Sequence, residues 1–529
     1  MRNKKLQVWL PLIFSLVMIA GMAFGFMLHK QTGNSNFFKR DRRSSLQEAL
    51  DHIKNRYVDE VSIDSIQDNA ISEVMNYLDP HSAYIPATDV SRENEILEGN
   101  FEGIGVEFNI FDDTVHVLYV VPDGPSDQAG LHIGDKIIKV NDSSIVGPRI
   151  GADIRDLIRG KGGTKVKLTI LRGNTTQFKE VVRGKIPLPS LDAAYMMDAT
   201  TGYIKLNKFA EPTYREFMHA FEGLQTKGLK NLVLDLRGNG GGYIKQAVNV
   251  ADEFLDGEKL IVYTEGANIK KEEYKARRDG LFETGKLVLL VDELTASASE
   301  IIAGAIQDWD RGTIIGRRTF GKGLVQAPYE LSDGSVLRLT VARYYTPVGR
   351  SIQRPYDKGR KEYMLDLNDR FEHGEFFSAD SIHYKKDQKT YKTKGGRTVY
   401  GGGGIVPDVF VPLDTSVYTR SVTRLYLDGR FNNFVYQYYV DNTKLFDQYK
   451  DPADFAARYQ NSADAWNRLV NYALKDSINL QNIPEKDKKS IQDQIKAYIA
   501  RLKWRTQGYY QVFNNYDPVV MKAREVLGR

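Results

Sequence analysis

The sequence predicts a multidomain protein with an α/β core, a β-rich module inserted before that core, an N-terminal transmembrane helix and a mostly helical C-terminal domain. The chain has 529 residues, more than one ordinary domain, and its 42% hydrophobic and 27% charged residues are typical of folded protein. Two uninterrupted apolar runs, NLVLDL and KLVLLVD, predict strands that are buried on both faces, as in a parallel sheet.

A long apolar stretch without any charged residue, Leu6 to Leu28, follows the opening MRNKK. It is long enough to span a hydrocarbon core of about 30 Å, and no clean small-residue cleavage site follows it. We therefore expect residues 1–30 to be a membrane anchor, with a cleaved signal peptide as the alternative. Basic residues lie on both sides of the stretch, so the positive-inside count does not set its orientation.

Two segments separate this anchor from the core. Residues 44–90 predict a helical segment, with a second helix from about Asp64 to Leu78. Its first helix is indicated by apolar residues at helical spacing, namely Leu46, Leu50, Ile53 and Tyr57. Residues 95–186 change to short alternating strands and glycine turns, which predicts a compact β-rich module.

The α/β core is expected over residues 187–414, and a helical domain over residues 415–529. Within the core, residues 350–400 show no clear periodicity and predict a long exposed insertion. In the tyrosine-rich C-terminal domain, a helix is expected to begin at Pro484 and to end at Gly508. Nothing in this domain carries obvious chemistry, so we interpret it as a packing domain.

Composition excludes several classes of function. A net charge of +5 over this length gives no case for nucleic-acid binding, which usually needs a concentrated basic face. The chain contains no cysteine, which excludes disulfides, thiolate metal sites and a cysteine nucleophile.

The stretch TASASE, residues 295–300, holds two serines at the expected start of a helix. Ser297 and Glu300 have the spacing of a capping box, so a purely structural role explains Ser297 by itself. The alternative is that Ser297 is a nucleophile. No histidine lies between His219 and His373, so the base would have to come from elsewhere.

Two glycine-rich stretches bear on this choice. DLRGNGGG, residues 235–242, follows a buried strand, and consecutive glycines can turn backbone N–H groups toward an anion. It matches neither the phosphate-binding loop nor the dinucleotide fingerprint. TFGKGLVQ, residues 319–326, places Lys322 between two glycines. Taken singly, the first stretch is explained by a tight turn and the second by a solvated lysine.

In combination the three stretches resemble the signatures of the carboxyl-terminal processing peptidases, the tail-specific serine proteases. LDPHSAYI (residues 78–85), ARYYTPVGRSIQ (342–353) and GGIVPDV (403–409) match as well, so the resemblance covers roughly residues 44–412. It implies a crotonase/ClpP-like α/β core and identifies the inserted module as a PDZ domain. Thr295 and Gly240 depart from the family pattern, which usually has serine and proline there.

The resemblance implies Ser297 as the nucleophile, Lys322 as its base and Gln326 as the residue that holds the lysine amine. Lysine accepts a proton only when neutral, so its pKa must fall from about 10.4 to near 7, a change that burial can cause. The N–H of Ala298, at the start of a helix, and that of Gly241 are the expected oxyanion donors.

In the PDZ module, the glycines of EGIGV can cradle a terminal carboxylate while a peptide adds to the neighbouring strand. We expect an apolar last side chain of the peptide to be bound there. The candidate residues are Gly103, Ile104, Gly105, Val106, Phe108 and Leu157.

The sequence is thus interpreted as a serine endopeptidase that processes or degrades envelope proteins with free, apolar C-termini. We expect it to be anchored by one span in the cell inner membrane, with its catalytic part in the periplasm or otherwise outside the cytoplasm. No cofactor or metal is expected, and the oligomeric state is left open. Two alternatives remain: a PDZ scaffold whose peptidase fold is inactive, and a crotonase-like acyl-transfer enzyme.

Overall fold

The computed structural model describes residues 4–31, 44–147, 153–382, 389–414, 419–460 and 463–528. The chain divides into two compact units, one up to Val74 and one from Met75 onward.

Helices make up the described part of the first unit. They are α1 (Lys4–Gln31), α2 (Ser45–Arg56) and α3 (Ile63–Asn76), the last of which runs into the second unit. The Ser44 hydroxyl caps α2 by accepting a hydrogen bond from the Gln47 N–H. The two predicted helices after the anchor are therefore confirmed.

Within α1, Trp9–Met27 has a mean hydropathy of 2.2 and none of it is buried. Among the described residues it is the one helix long and apolar enough to cross a membrane, although a signal sequence near the N-terminus has the same properties.

The second unit continues with β1 (Ala83–Ile85) and α4 (Ala87–Glu98), which lead into the inserted module. The elements of the module are β2 (Asn100–Gly103), β3 (Val106–Phe111), β4 (Thr114–Val120), α5 (Pro125–Gln128), β5 (Lys136–Val140), β6 (Ser143–Ser144), α6 (Asp153–Ile158), β7 (Lys165–Arg172), β8 (Thr175–Val182) and β9 (Gly184–Pro187). Strands β3, β4, β5, β7 and β8 form an antiparallel sheet in that order, with β6 paired to β5. Strands β2 and β9 pair with each other, from Asn100 opposite Pro187 to Gly103 opposite Gly184, and so form a neck that closes the insertion.

The core consists of two sheets with helices between and around them. Its elements are β10 (Leu191–Met196), β11 (Thr201–Leu206), α7 (Thr213–Gln225), β12 (Asn231–Asp235), α8 (Ile244–Asp252), β13 (Leu260–Glu265), β14 (Glu272–Lys275), β15 (Lys286–Val291), α9 (Ala298–Asp308), β16 (Thr313–Gly316), β17 (Leu324–Glu330) and β18 (Val336–Tyr345). In the first sheet β10, β11, β12, β15 and β16 are neighbours, and all pairs after β10–β11 are parallel. The two apolar runs form its buried central strands β12 and β15, as predicted. The second sheet is antiparallel and joins β1, β18, β13 and β14, with β17 paired to β18.

Residues 350–400 are not simply the exposed insertion that the sequence suggested. They contain α10 (Arg360–Glu372), a 3₁₀ turn (Ala379–Ser381), and the hairpin of β19 (Thr390–Lys392) and β20 (Thr398–Tyr400). Beyond it, β21 (Val409–Phe410) adds a parallel strand to the first sheet. The prediction fails because charged side chains of this segment are buried by packing on aromatic rings, which a hydrophobic pattern does not reveal. The Arg354 guanidinium, for example, lies 3.9 Å from the ring centres of both Phe320 and Tyr363.

The C-terminal domain is helical, as predicted. Its helices are α11 (Arg420–Leu427), α12 (Arg430–Asp441), α13 (Thr443–Phe446), α14 (Pro452–Arg458), α15 (Ala463–Leu474), α16 (Glu485–Phe513) and α17 (Pro518–Gly528). Pro484 caps α16, but Gly508 does not end it. Helical dihedral angles are instead interrupted at Trp504 and Arg505. A Cβ atom on Gly508 would lie only 2.7 Å from the Trp504 Cβ, so the glycine permits close packing at this break.

This domain contacts both the core and the inserted module. Arg237, in the glycine-rich loop after β12, forms an ion pair of 2.8 Å with Asp517. On the module, Tyr436 packs against Phe111 and His116, with ring centres about 5.4 Å apart. Together these contacts fix the C-terminal domain against two other parts of the unit.

Removal of residues 1–43 is expected to yield a chain that stays monodisperse without detergent, whereas the full chain requires detergent. The reason is that Trp9–Met27 exposes its apolar side chains along its whole length. Size-exclusion chromatography of both forms, with and without detergent, tests this. Aggregation of a folded truncated chain would contradict it.

Candidate active site

Ser297 lies in the turn between β15 and α9, in a backbone conformation that residues other than glycine rarely adopt. Its φ is 56° and its ψ is −118°, a strain that typically costs about 1–3 kcal/mol. Thr295, two residues before Ser297, stabilises the turn. Its buried hydroxyl donates to the Leu236 carbonyl at 2.9 Å and accepts from the Asp292 N–H. Threonine therefore serves at the position where the family usually has serine.

The two serines of TASASE have different surroundings. Ser299 is fully buried, and its hydroxyl donates to the Asn239 carbonyl at 2.9 Å. Ser297 is partly exposed and forms a capping box with Glu300, while its own hydroxyl proton is donated to no group in the described part of the chain. Only Ser297 is thus placed to react with a molecule from solution.

The Glu300 carboxylate joins the serine turn to the lysine turn. It is fully buried and accepts hydrogen bonds from the Ser297 N–H at 2.9 Å, the Gly321 N–H at 2.8 Å and the Lys322 N–H at 2.9 Å. The Thr319 hydroxyl adds a fourth, at 2.5 Å. Burial raises the pKa of Glu300 to about 7, although all four hydrogen bonds favour its ionised form. The spacing in TASASE predicted only a helix cap for Glu300, because its other partners lie about 20 residues further along the chain.

The surroundings of Lys322 favour the neutral form of its amine. Burial lowers its pKa, and the positive charge of Arg338 lowers it further, whereas Glu300 and Asp79 raise it. Its ammonium nitrogen makes no hydrogen bond within the described residues. Its backbone is fixed by Glu300 and by the buried Tyr344, whose hydroxyl reaches the carbonyls of both Lys322 and Ser297.

His81, from the LDPHSAYI stretch, is another neighbour of Lys322. Burial, followed by the charge of Lys322, lowers the pKa of His81 to about 4, so its ring is neutral at physiological pH. The ring lies 2.8 Å from the Tyr363 hydroxyl. This histidine, distant in sequence from the serine, was missed as part of the site.

Gln326 was expected to hold the Lys322 amine, but its side chain has another partner in the structure. Its amide donates to the Thr340 hydroxyl at 3.3 Å, which in turn donates to Asp79 at 3.0 Å. No hydrogen bond between Gln326 and the Lys322 amine occurs among the described residues, and the Gln326 side-chain nitrogen binds instead to Thr340 on the paired strand β18.

The glycine-rich loop lies directly against the serine. A Cβ atom on Gly241 would come within 2.8 Å of the Ser297 Cβ and 2.9 Å of the Ala298 nitrogen, and Gly241 has a φ of +98°, so only glycine fits. The Ala298 N–H, at the first position of α9, has no acceptor among the described residues and is free to bind an anion.

The Gly241 N–H, in contrast, is not free as expected. It donates to the Asn239 side-chain oxygen at 2.9 Å. Asn239 is fully buried and fixes the loop, since its amide also donates to the Leu206 carbonyl and its carbonyl accepts from the Ala296 N–H. An asparagine commonly bonds the backbone two residues on, and this local preference overrides the predicted geometry.

In the inserted module, most of the expected peptide-binding residues surround one cavity of about 450 Å³. Ile104, Gly105, Val106 and Phe108 line it. Leu157 does not: it is exposed, and Ile158, the next residue of α6, lines the cavity instead. Residues four apart share a helix face, so Ile154 and Ile158 are the buried pair. Gly103 is also absent from the lining, although its neck neighbours Phe101 and Ile186 belong to it.

Within the described ranges, no group of three or more His, Cys, Asp or Glu side chains is placed to hold a metal ion.

Family models match three parts of the chain. These are Peptidase family S41 over residues 200–358, PDZ domain over residues 116–172, and a family of unknown function, DUF8443, over residues 421–505.

Curated relatives match over most of the chain. It is 34% identical over 390 residues to the carboxy-terminal processing protease CtpA of Bacillus subtilis (strain 168), covering 72% of this chain and 81% of the relative. It is 35% identical over 310 residues to the carboxy-terminal-processing protease of Bartonella bacilliformis, covering 58% and 71%. A solved photosystem II D1 C-terminal processing protease matches at 27% identity, with a TM-score of 0.37, over 70% of this chain and 87% of that one.

Replacing Glu300 with glutamine is expected to slow the reaction of Ser297 with a fluorophosphonate probe at least about tenfold and to lower the free energy of unfolding by about 1–3 kcal/mol. The reason is that each carboxylate oxygen faces two donors, and an amide NH₂ in place of one oxygen leaves both unpaired. Probe labelling and thermal unfolding measure the two effects.

The matched control is Glu330→Gln, which changes an exposed carboxylate at the end of β17. Wild-type labelling and unfolding of the Glu300→Gln variant would show that Glu300 does not connect the two turns.

Proposed function

Because the chain belongs to peptidase family S41 and is a serine protease of the carboxy-terminal processing type, we propose that it cleaves peptide bonds through an acyl-enzyme on Ser297, with Lys322 as the base. The observation that carries this assignment is the Glu300 carboxylate, which binds the N–H groups of both residues and so fixes one backbone against the other. A serine paired with a neutral lysine needs no histidine.

The proposed chemistry starts with the neutral Lys322 amine, which removes the Ser297 hydroxyl proton as the oxygen attacks the peptide carbonyl. Lys322 then gives this proton to the leaving amine, and a water molecule activated by the same lysine hydrolyses the ester. Burial of Lys322 supports this role, because it favours the neutral form.

The Ala298 N–H is the first proposed donor to the oxyanion, since it is free and lies at the positive end of α9. Gly241 can supply a second donor only when its N–H leaves the Asn239 oxygen. Gln326 is proposed to position the lysine amine, although its side-chain nitrogen binds Thr340 in this structure. We propose both as groups that engage when a substrate is bound.

Substrate selection is proposed to take place in the PDZ module, which would bind free, apolar C-termini of envelope proteins. The cavity beside β3 supports this, because its lining is mostly apolar and β3 is the edge strand of its sheet. We further propose that α1 anchors the chain in the cell inner membrane, with the catalytic part in the periplasm. We also propose a crotonase/ClpP-like class for the core, based on the helix α9 that follows the parallel strand β15.

Replacing Ser297 with alanine is expected to abolish cleavage of a peptide and to cost only about 0.5–2 kcal/mol of stability through the lost cap. Ser299→Ala is the matched control: it removes the hydrogen bond to Asn239, worth about 0.5–1.5 kcal/mol, and keeps most of the activity. Mass spectrometry of the products measures both variants. Equal loss of cleavage in two folded variants would contradict the assignment, and a folded wild type that neither cleaves nor is labelled at Ser297 would favour an inactive scaffold.

Lys322→Arg is expected to be as inactive as Lys322→Ala, because a guanidinium keeps its proton near neutral pH. In the wild type, activity should rise with pH as the lysine loses its proton, and burial moves this rise below the usual lysine range. The pH profile of kcat/KM measures it. Near wild-type turnover of the arginine variant would mean that another group is the base.

A further inference from the structure

One residue that lines the cavity of the PDZ module comes from outside the module. Arg505, in the C-terminal domain, lines it together with Gly105, Val106 and Phe108. The domain that showed no chemistry in the sequence therefore contributes a charged side chain to the proposed peptide site.

The backbone of Arg505 is strained. Its φ of 63° and ψ of −159° belong to a region that essentially only glycine adopts, at a typical cost for other residues of order 1–3 kcal/mol. Two anchors impose this conformation. On one side, Trp504 packs in the domain core against Phe455, with ring centres 5.5 Å apart. On the other, the Gln507 amide donates to and accepts from the backbone of Ala194, both at 3.0 Å.

The strained backbone directs the Arg505 side chain onto the module. Its guanidinium lies 3.5 Å from the ring centre of Tyr119, and one of its nitrogens lies 2.6 Å from a Glu107 oxygen. The other two guanidinium nitrogens make no hydrogen bond within the described ranges, and 40% of the side chain is exposed. Arg505 is thus held in place while part of its hydrogen-bonding capacity stays unused.

The charges around the cavity favour an anion. Arg155, Arg159 and Arg505 line it, and Glu107 is the one carboxylate in its described lining. Arg159 is already paired with Glu95 at 2.9 Å, so the excess positive charge comes from Arg155 and Arg505. The Glu107 carboxylate also pairs with Arg501 at 2.5 Å. Its single negative charge is therefore shared between two arginines and offsets only part of the charge of Arg505. A planar guanidinium with free N–H groups matches a carboxylate in both shape and charge.

We propose that Arg505 binds a carboxylate in the C-terminal segment of the substrate and so makes the C-terminal domain part of the specificity site. This inference rests on the proposed reading of chain ends by the PDZ module. The carboxylate is either the chain terminus or an acidic side chain close to it, and the two sources can be separated by experiment.

The test measures binding of fluorescent peptides to the full chain in detergent, in a Ser297→Ala background that prevents cleavage. One peptide ends in valine with a free carboxylate, a second is its amide, and two more carry Asp or Asn three residues before the end. We expect the wild-type pocket to prefer the free acid over the amide, or Asp over Asn, at least about tenfold. Arg505→Gln should reduce that preference to about threefold or less. If the ratio of free-acid to amide affinity falls, the carboxylate is the chain terminus. If the ratio of Asp to Asn affinity falls, it is the acidic side chain.

Two further variants separate recognition from structure. Arg505→Gly removes the side chain but suits the backbone conformation, so it should fold at least as well as the wild type and lose the same preference. Arg501 also pairs with Glu107 but does not line the cavity. The variant Arg501→Gln should therefore leave the preference intact.

An unchanged preference in both Arg505 variants, or an equal loss in Arg501→Gln, would overturn the role of Arg505 while leaving the reading of chain ends in place. A wild type without either preference would overturn the reading of chain ends as well. Peptide cleavage by the chain with Ser297 intact, measured in parallel, shows independently whether the proposed chemistry holds.

Discussion

The site depends on one buried carboxylate, that of Glu300, which forms no ion pair within the part of the chain that the structure describes. Glu300 is surrounded by neutral donors, and these come from two turns that the Phe320 N–H and the Tyr344 hydroxyl also connect. In a low-dielectric interior such bonds are strong, and leaving any of these donors unpaired would be costly. The positive φ of Ser297 and the path of the chain from Thr319 to Lys322 are therefore fixed together. Where other serine proteases use a carboxylate to orient a histidine, this chain uses one to fix backbone.

Such a carboxylate close to Lys322, the proposed base, creates a conflict, because a negative charge favours the protonated form of lysine. Burial resolves much of this conflict, because it favours the neutral form of both Glu300 and Lys322. It lowers the pKa of Lys322 and raises that of Glu300 to about 7, so Glu300 carries only part of its charge near neutral pH. The charge of Glu300 acts against the neutral form of Lys322, so protonation of Glu300 favours the neutral lysine.

The sequence predicts local features of this structure better than contacts between distant segments. The buried strands β12 and β15, the capping box at Ser297 and the helices α2 and α3 follow from periodicity and spacing, which depend on neighbouring residues alone. The engagement of the Gly241 N–H by Asn239 is also local, but several acceptors compete for such a group. The partners of Gln326, the stacking around Arg354 and the break at Arg505 depend on tertiary packing that no periodicity encodes.

The neck formed by β2 and β9 has a thermodynamic consequence for the inserted module. It joins Gly103 to Gly184, so the core already holds the two ends of a segment of about 80 residues side by side. The length-dependent entropy of closing such a loop is about 4 kcal/mol, and this cost is borne by the core whether the segment is folded or not. Doubling the segment would add only about 0.6 kcal/mol. By loop closure alone, the core can therefore hold inserts of very different length at this position, and what ties this particular module to the chain is its packing against the C-terminal domain.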